Sequence, residues 1–329
     1  MKLLRTILFF IHLAVLLAIF GTYLNSVVPP KVFPYFNFLS LSFPVLAIVH
    51  GLLCVYWIFS LKKRALFFVA LSFLMIPLLK PWINYSSSKQ KDKTLKTVTF
   101  NVRNGYNDNK KDIREFLDKS DADFIFAQEA GGLTAENSEL KFISKGFPVT
   151  MIYSRHKIIE KGAVLSKQGV GEAQYADVEI DGRRIRLVNM YLEPYFLSKS
   201  MVKPTQNYAV NEDKARDLVR RMAPTFKTHQ DQIKKVVDFI KTSPYPVILG
   251  GDFNAVPNSY EYFQIRNLLN DAFLQSGKGI STSFHDYKFP IRIDYIFSSK
   301  EFEAVFYHVD RNTGFSDHFP VVAELKFVE

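Results

Sequence analysis

Residues 95–329 are predicted to form a mixed α/β sandwich, preceded by about three transmembrane helices. Three observations carry this. The chain has no Asp or Glu before Asp92, and long apolar runs fill its first 85 residues. Beyond residue 95, strand-length apolar runs outnumber helix-length ones, which fits a mixed sandwich better than a strictly alternating doubly wound sheet. Several of those runs stop at Asp, Asn, Glu or His, residue types that carry chemistry when they sit at strand ends.

A chain of 329 residues at 48% hydrophobic and 15% aromatic is long enough to bury a core, and is not disordered. Its net charge of +10 is unevenly placed. Lys2, Arg5, Lys31, Lys62, Lys63, Arg64, Lys80 and Lys89 give residues 1–90 a charge of +8, which leaves only +2 for the rest. The basic balance therefore flanks apolar segments, a membrane pattern rather than a nucleic-acid one. Cys54 is the single cysteine, so neither an intramolecular disulfide nor a CxxC metal site is possible.

The first apolar run, residues 3–24, is long enough to cross a ~30 Å hydrocarbon core, which takes ~20 helical residues. A basic start and apolar middle also fit a signal peptide, but no clear small-x-small cleavage site follows and two more apolar runs come after. The second run is 38–61, closed by Lys62-Lys63-Arg64. The third covers Ala65–Leu79 and reaches residue 85 through an interfacial cluster, Lys80-Pro81-Trp82 and Tyr85. Short-loop positive charge at Lys2, Arg5 and the Lys62–Arg64 triplet places those ends in the cytoplasm. Three spans then carry the rest of the chain to the periplasmic side of a bacterial-type inner membrane. Residues 86–94 read as a polar linker, and the globular domain occupies 95–329.

Within that domain the expected strands are 96–101, 124–128, 149–153, 163–165, 173–180, 184–191, 247–249, 293–297, 302–308 and 320–327. The expected helices are 108–119, 209–242 and 260–269. Asp181-Gly182 is a strong hairpin turn signal between two of the strands.

The most informative segment is Pro246–Asn254, in which an apolar run ends in Gly250-Gly251 and then presents Asp252 and Asn254. Similar strand ends carry Asn101, Gln128-Glu129 and Asp317-His318, while Asp294 lies within an apolar strand. A charge there costs several kcal/mol unless paired or metal-bound, and a histidine is its most economical partner. Singly, each residue has a plain structural role as turn former, helix-end carboxylate, capping histidine or bridge to Arg292. Together they form a set of hard oxygen donors beside a histidine, suited to Mg²⁺ or Mn²⁺ and to phosphoryl chemistry.

These motifs resemble the endonuclease/exonuclease/phosphatase superfamily over residues 95–329. Thr99-Phe100-Asn101-Val102 is similar to its first motif, Gln128-Glu129 to its second, and Ile152-Tyr153-Ser154-Arg155 to a weaker third. Gly251-Asp252-Phe253-Asn254, Arg292–Ile296 and Ser316–Pro320 follow in the family's order. The resemblance implies a four-layer α/β (α+β) sandwich, two packed mixed β-sheets flanked by helices. It implies a metal-dependent hydrolase of the endonuclease or phosphodiesterase type, cutting its substrate by in-line attack of water. It further implies Glu129, Asn101 and Asp317 around Mg²⁺ or Mn²⁺, Asp252 and Asn254 orienting water and phosphate, and His318 fixed by Asp294. Arg155 and Asn189 would contact substrate. Where many members carry Asn-x-His-Leu, this chain has Asn189-Met190-Tyr191-Leu192, so Tyr191 resembles the AP endonuclease branch and would donate a hydrogen bond to the phosphate or leaving group. Ser283–Asp286 stands where inositol phosphatases carry Trp-Cys-Asp-Arg, which argues against that branch.

The expected partners are a phosphodiester substrate, either nucleic acid or a phospholipid or envelope molecule, and the lipid bilayer; no protein partner is predicted. The alternative function is a catalytically silent, membrane-anchored binding module of the same fold. His12 and His50 inside the apolar runs read as packed or interfacial residues rather than a proton relay.

Overall fold

The strand-length runs pair into two six-stranded sheets in this computed structural model, which describes residues 2–86, 93–134, 138–165, 169–286 and 291–328. Most of the linker expected over 86–94 lies outside the described residues.

Four helices come first: α1 (Lys2–Gly21), α2 (Phe36–Phe59), α3 (Arg64–Leu74) and α4 (Ile76–Leu79). The first is extended by a 3-10 turn to Ser26, and α1 and α2 are long and apolar enough to cross a membrane. The third apolar run is broken where one continuous helix is expected. It forms an eleven-residue helix and then a single turn, because the chain breaks at Met75 ahead of Pro77, whose ring cannot continue a helix interior.

A buried polar chain joins α1, α2 and α3. Trp57 donates to His12 Nδ1 (3.0 Å), His12 Nε2 lies 2.8 Å from His50 Nδ1, and His50 Nε2 lies 2.9 Å from Ser72 Oγ, which bonds to the Phe68 carbonyl. Indole nitrogen only donates, so both imidazoles are neutral with the proton on Nε2, and every member is satisfied. His12 and His50 are packed residues, as expected.

The apolar helices and the sandwich share one core, in which Phe43, Leu78 and Trp82 pack with Val256, Phe263 and Ile293. Hydrogen bonds seal this joint. The Asn258 carbonyl accepts from Asn25 and Ser40, Asn258 Nδ2 donates to Leu78 O (3.0 Å), and Asn37 Nδ2 donates to Glu261. At the opposite end of the bundle the Arg64 guanidinium lies 4.8 Å from the Phe9 ring.

After β1 (Ile83–Tyr85), the first sheet comprises β2 (Leu95–Asn101), β3 (Phe124–Gln128), β4 (Phe142–Ile143), β5 (Thr150–Ser154) and, from the end of the chain, β13 (Phe302–Val309) and β14 (Val321–Phe327). Their order is β13-β14-β2-β3-β5-β4. The second sheet comprises β6 (Ile158–Ala163), β7 (Glu172–Ile180), β8 (Arg183–Tyr191), β9 (Val247–Asp252), β10 (Asn270–Asp271) and β12 (Asp294–Ser298), ordered β10-β12-β9-β8-β7-β6. A short β11 (Lys278–Ile280) pairs with β1. Helix α5 (Lys110–Lys119) covers the first sheet, while α7 (Tyr208–Lys241) and α8 (Tyr260–Arg266) cover the second; α6 (Lys199–Val202) and α9 (Ala272–Ser276) are short. Phe124, Phe126, Ile152, Leu187, Ile248 and Ile296 fill the space between the sheets, giving the expected four layers.

Of the strand expected at 163–165 only Ala163 is strand, as the last residue of β6, an edge strand whose exposed Glu160 and Lys161 hide its period from a hydrophobicity reading. Asp181 and Gly182 make the expected hairpin turn, both at positive φ (50° and 74°).

Each sheet contains one parallel pair, β2 with β3 and β8 with β9, so the C-terminal ends of four strands share one edge of the sandwich. Gly250 and Gly251 are required by close approach. A Cβ on Gly250 would lie 2.2 Å from the Phe126 ring, and one on Gly251 would lie 2.1 Å from the Met190 carbonyl oxygen of β8. Backbone cannot yield as a flexible side chain can. Gly251→Ala is therefore expected to destabilise the protein by at least ~1–3 kcal/mol, read as a lowered thermal midpoint of the full chain in detergent; an unchanged midpoint would contradict this packing.

Candidate active site

The shared strand edge brings together most of the polar residues singled out above. Asn101 ends β2, Glu129 follows β3, Tyr191 ends β8 and Asp252 ends β9. Asp294 begins β12 rather than lying inside it, and pairs in register with Asp252, so two carboxylates are cross-strand neighbours. His318 comes from the other sheet, just ahead of β14, and its backbone bridges to Phe284.

His318 Nδ1 lies 2.8 Å from Asp294 Oδ2, and its Nε2 lies 3.8 Å from Asp252 Oδ2. Asn101 Nδ2 donates to both Glu129 Oε1 and Asp252 Oδ2, each at 3.0 Å. Tyr191 donates its phenol proton to the same Glu129 oxygen at 2.9 Å. The Asn254 backbone N–H donates to Asp252 Oδ1 (2.8 Å), and its side-chain amide anchors on the Leu192 carbonyl (2.9 Å). Asp252, Asp294 and His318 are all nearly fully buried.

Burial sets the protonation states. It raises the Asp252 carboxyl to about 7, with the neighbouring Asp294 charge adding to the effect. Burial alone would lower His318, but the flanking Asp294 and Asp252 carboxylates override it and lift the imidazole to about 10. Tyr191 is pushed far above its ordinary value by burial and by the charges of Glu129 and Asp252, so it keeps its proton and acts only as a donor.

The backbone here is strained. Arg103, Glu129 and Asn254 have φ of 45°, 53° and 45°, a left-handed conformation that costs a side-chain-bearing residue ~1–2 kcal/mol. Left-handed turns at the ends of β3 and β9 aim Glu129 and Asn254 across the strand ends instead of along them.

Four expectations need correction or completion. Asp317 lines the same cavity as Glu129, with its carboxylate paired to Arg103 Nη1 at 2.7 Å. Asn189 does not reach the pocket: it is fully buried between the sheets, accepting from Gln128 and donating to the Ala127 and Met151 carbonyls, because its side chain faces inward on β8. Arg155 follows β5 at the opposite end from the site, its backbone N–H bonded to the Asp123 carbonyl ahead of β3. Because β5 runs antiparallel to β3, Thr150 is opposite Gln128 at the site edge, and Arg155 is about five residues away, roughly 16 Å. The plain alternative, Asp294 as a bridge to Arg292, does not apply, because Arg292 pairs with Asp271 at 2.6 Å. Arg103 was missed, although a basic residue two positions past the Asn101 strand end was a visible signal.

These groups line a cavity of about 1180 Å³ that includes Asn101, Arg103, Glu129, Tyr191, Asp252, Asn254, Asp317 and His318. Glu129, Asp252 and Asp317 there, with Asp294 beside His318, face one imidazole and one guanidinium, the ammonium of Lys199 being paired with Asp286. Asp294 Oδ1 is buried without a hydrogen-bond partner among the described residues. An oxygen-rich donor set with excess negative charge fits a hard divalent cation. Asp252, Asp294 and His318 present ligand atoms within 4.8 Å of one another, and Glu129 joins them through Asn101.

A family model described as the endonuclease/exonuclease/phosphatase family matches residues 98–318, and a second, a domain of unknown function, matches residues 5–82. No curated protein matches the chain. Similar solved structures include a D. rerio TDP2 humanized by 14 mutations (TM-score 0.50, 17% identity, covering 71% of this chain and 100% of that one). Two others are family proteins from Bacteroides thetaiotaomicron (0.50, 19%, 73% and 100%) and Bacteroides vulgatus (0.50, 16%, 72% and 100%). At these identities they establish the fold.

The buried carboxyl of Asp252 costs stability. Its folded value of about 7 lies above the ordinary aspartate value of 3.8, so ionising it above pH 7 penalises the folded state relative to the unfolded one. In EDTA-treated protein, Asp252→Asn is expected to raise the melting temperature at pH 8 by a few degrees, about 1 kcal/mol or more. The gap should close as pH falls from 7 toward 4. A lower melting temperature for the variant at pH 8 would refute this electrostatic reading.

Proposed function

The chain belongs to the endonuclease/exonuclease/phosphatase family, and on that premise we propose that it is a membrane-anchored, Mg²⁺- or Mn²⁺-dependent phosphoesterase that hydrolyses a phosphodiester by in-line attack of water. The observation that carries this reading is the convergence of Glu129, Asn101, Asp252 and the Asp294–His318 pair on one cavity at the strand ends.

Asp252, held at about 7, is poised near neutral pH to orient the attacking water and accept its proton. Asn254 fixes that carboxylate through its backbone N–H. His318, held at about 10 between two carboxylates, is an imidazolium at neutral pH, a hydrogen-bond donor for a phosphoryl oxygen that gains charge in the transition state. Asp294 positions it and fixes its Nδ1 proton. Tyr191, whose phenol donates a hydrogen bond to Glu129, offers a second donor to phosphate or leaving group. Glu129 and Asn101, with Asp317 on the Arg103 side of the cavity, would hold the divalent cation, which when bound would supply Lewis-acid polarisation and offset the excess negative charge.

Anchoring is supported by the two long apolar helices, whose apolar windows are only 17% and 22% buried, unlike the core helices of a soluble protein. Lys2, Arg5 and Lys62–Arg64 lie at the end of the bundle away from the sandwich. The third run, short as it is, returns the chain from that basic end to the sandwich. By the positive-inside rule the basic end is cytoplasmic and the catalytic domain extracytoplasmic.

Full-length protein in detergent with Mn²⁺ is expected to hydrolyse an activated phosphodiester, and EDTA to abolish turnover. Asp252→Ala and His318→Ala should each lose ~10²-fold or more in kcat. Turnover in either variant equal to wild type would sink the assignment, and folded, metal-binding protein without turnover would point to the silent binding module. A C-terminal alkaline phosphatase fusion should be active in cells; an inactive one reverses the orientation.

A further inference from the structure

The catalytic cavity has two unlike walls. Its floor is the polar set described above, while much of the remaining lining is apolar: Leu41, Phe196, Leu218, Met222, Val256 and Ile293. Leu41 is the informative member, because it belongs to α2, one of the two membrane-length helices. A helix long and apolar enough to cross the bilayer thus forms part of the wall of the catalytic cavity.

Leu41 also begins a stripe. Val45, Ile48, Leu52, Val55 and Phe59 follow it at alternating spacings of four and three, which keeps them on one face of a helix. Those five are exposed by 50%, 64%, 65%, 48% and 83%. The apolar wall of the cavity is therefore continuous with an apolar track that runs down the outside of α2, away from the sandwich. An extended hydrocarbon chain on that track would lie against Phe59, Val55, Leu52, Ile48 and Val45 and meet Leu41 at the cavity that Asp252 and His318 also line.

The same lining argues against a polyanion. Apart from His318, the basic side chains that line the cavity among the described residues are Arg103 and Lys199, and both are ion-paired, with Asp317 at 2.7 Å and Asp286 at 2.6 Å. A nucleic-acid groove would present cations to successive phosphates; this one offers leucine, valine and methionine.

We propose that the substrate is a membrane lipid bearing a phosphodiester headgroup, which enters sideways from the bilayer along the Leu41–Phe59 stripe. This rests on the phosphoesterase reading above. The water oxygen bonds to phosphorus, the ester P–O bond breaks, and the leaving oxygen departs with a proton, while the hydrocarbon chain lies between α2 and the Leu218 and Met222 turns of α7.

The test uses two chromogenic diesters that differ only in one alkyl chain, methyl and hexadecyl p-nitrophenyl phosphate, with full-length protein in mixed micelles and Mn²⁺. The kcat/KM ratio of hexadecyl to methyl ester is expected to exceed ~10, since each buried methylene contributes roughly 0.8 kcal/mol. Leu41→Arg should bring that ratio at least several-fold toward one. Partitioning into micelles is the same for every variant, so the change in ratio reports the protein wall. Leu218→Gln, on a different element, gives the same readout should Leu41→Arg fail to fold. A ratio near one in the wild type, or one unchanged in the folded variants, overturns the lipid inference while the phosphoesterase reading stands. Turnover of a single-stranded oligonucleotide faster than of either ester also overturns it, in favour of nucleic acid. Hydrolysis of none of the three overturns both readings.

Discussion

Two carboxylates are buried side by side at one end of this sandwich, and much else follows from what makes that tolerable. Asp252 and Asp294 sit opposite each other on adjacent strands of the second sheet, where like charges in low dielectric repel strongly. The compensating group is His318, delivered by the first sheet. The pair of sheets is thus held in one alignment at this edge by electrostatics as well as by the apolar layer between them. Asn101 and Glu129, also from the first sheet, extend the same network across the gap. Stability is spent here for chemistry. The left-handed backbone at Glu129 and Asn254 and the orphaned oxygen of Asp294 are further signs of a site held against local preference.

The apolar helices are tied into this arrangement rather than tethered at a distance. Asn258, four residues beyond Asn254, accepts from Asn25 and Ser40 and donates to the carbonyl of Leu78. The loop that leaves the catalytic strand end is the same loop that docks on the helices. Glu261 at the start of α8 bonds both Asn37 of α2 and His229 of α7. Within the bundle, the Trp57–His12–His50–Ser72 chain keeps the short α3 registered against its longer neighbours. Membrane helices pack with little hydrophobic driving force between them, so a satisfied polar chain is a fitting means of fixing their contact.

Much of the fold was legible because its signals are local. The run Phe124–Gln128 is wholly apolar up to its glutamine, Asp181-Gly182 supplies the left-handed turn, and α7, capped by Asn207, begins one residue before the expected start. Elements were missed where local signals fade. β6 is an edge strand with charged, solvated positions, β10 and β4 span two residues each, and the third apolar run is interrupted by Pro77. The site was legible as a set of residue types and strand ends, but two of its members were misplaced. Asn189 and Gln128 look like strand-end polar residues and are in fact partners in a buried joint between the sheets. Arg155 shares a motif-like segment with β5 and falls at the wrong end of it, because strand direction is not written in a single strand.

What the sequence by itself determined was the inventory: a basic, acid-free apolar segment, a mixed sandwich, and Asp, Asn, Glu and His at strand ends. Periodicity and composition act over a few residues, and they are enough for that. Only the tertiary structure decided which of those residues meet. Parallel pairing in both sheets put Asn101, Glu129, Tyr191 and Asp252 at one edge, antiparallel pairing brought Asp294 beside Asp252, and the return of the last strand supplied His318. It also decided that Leu41, some two hundred residues from the catalytic strand end, stands in the cavity wall. Contacts between distant segments depend on register and strand direction, and these are set by the packing of whole sheets and helices rather than by any one run of residues.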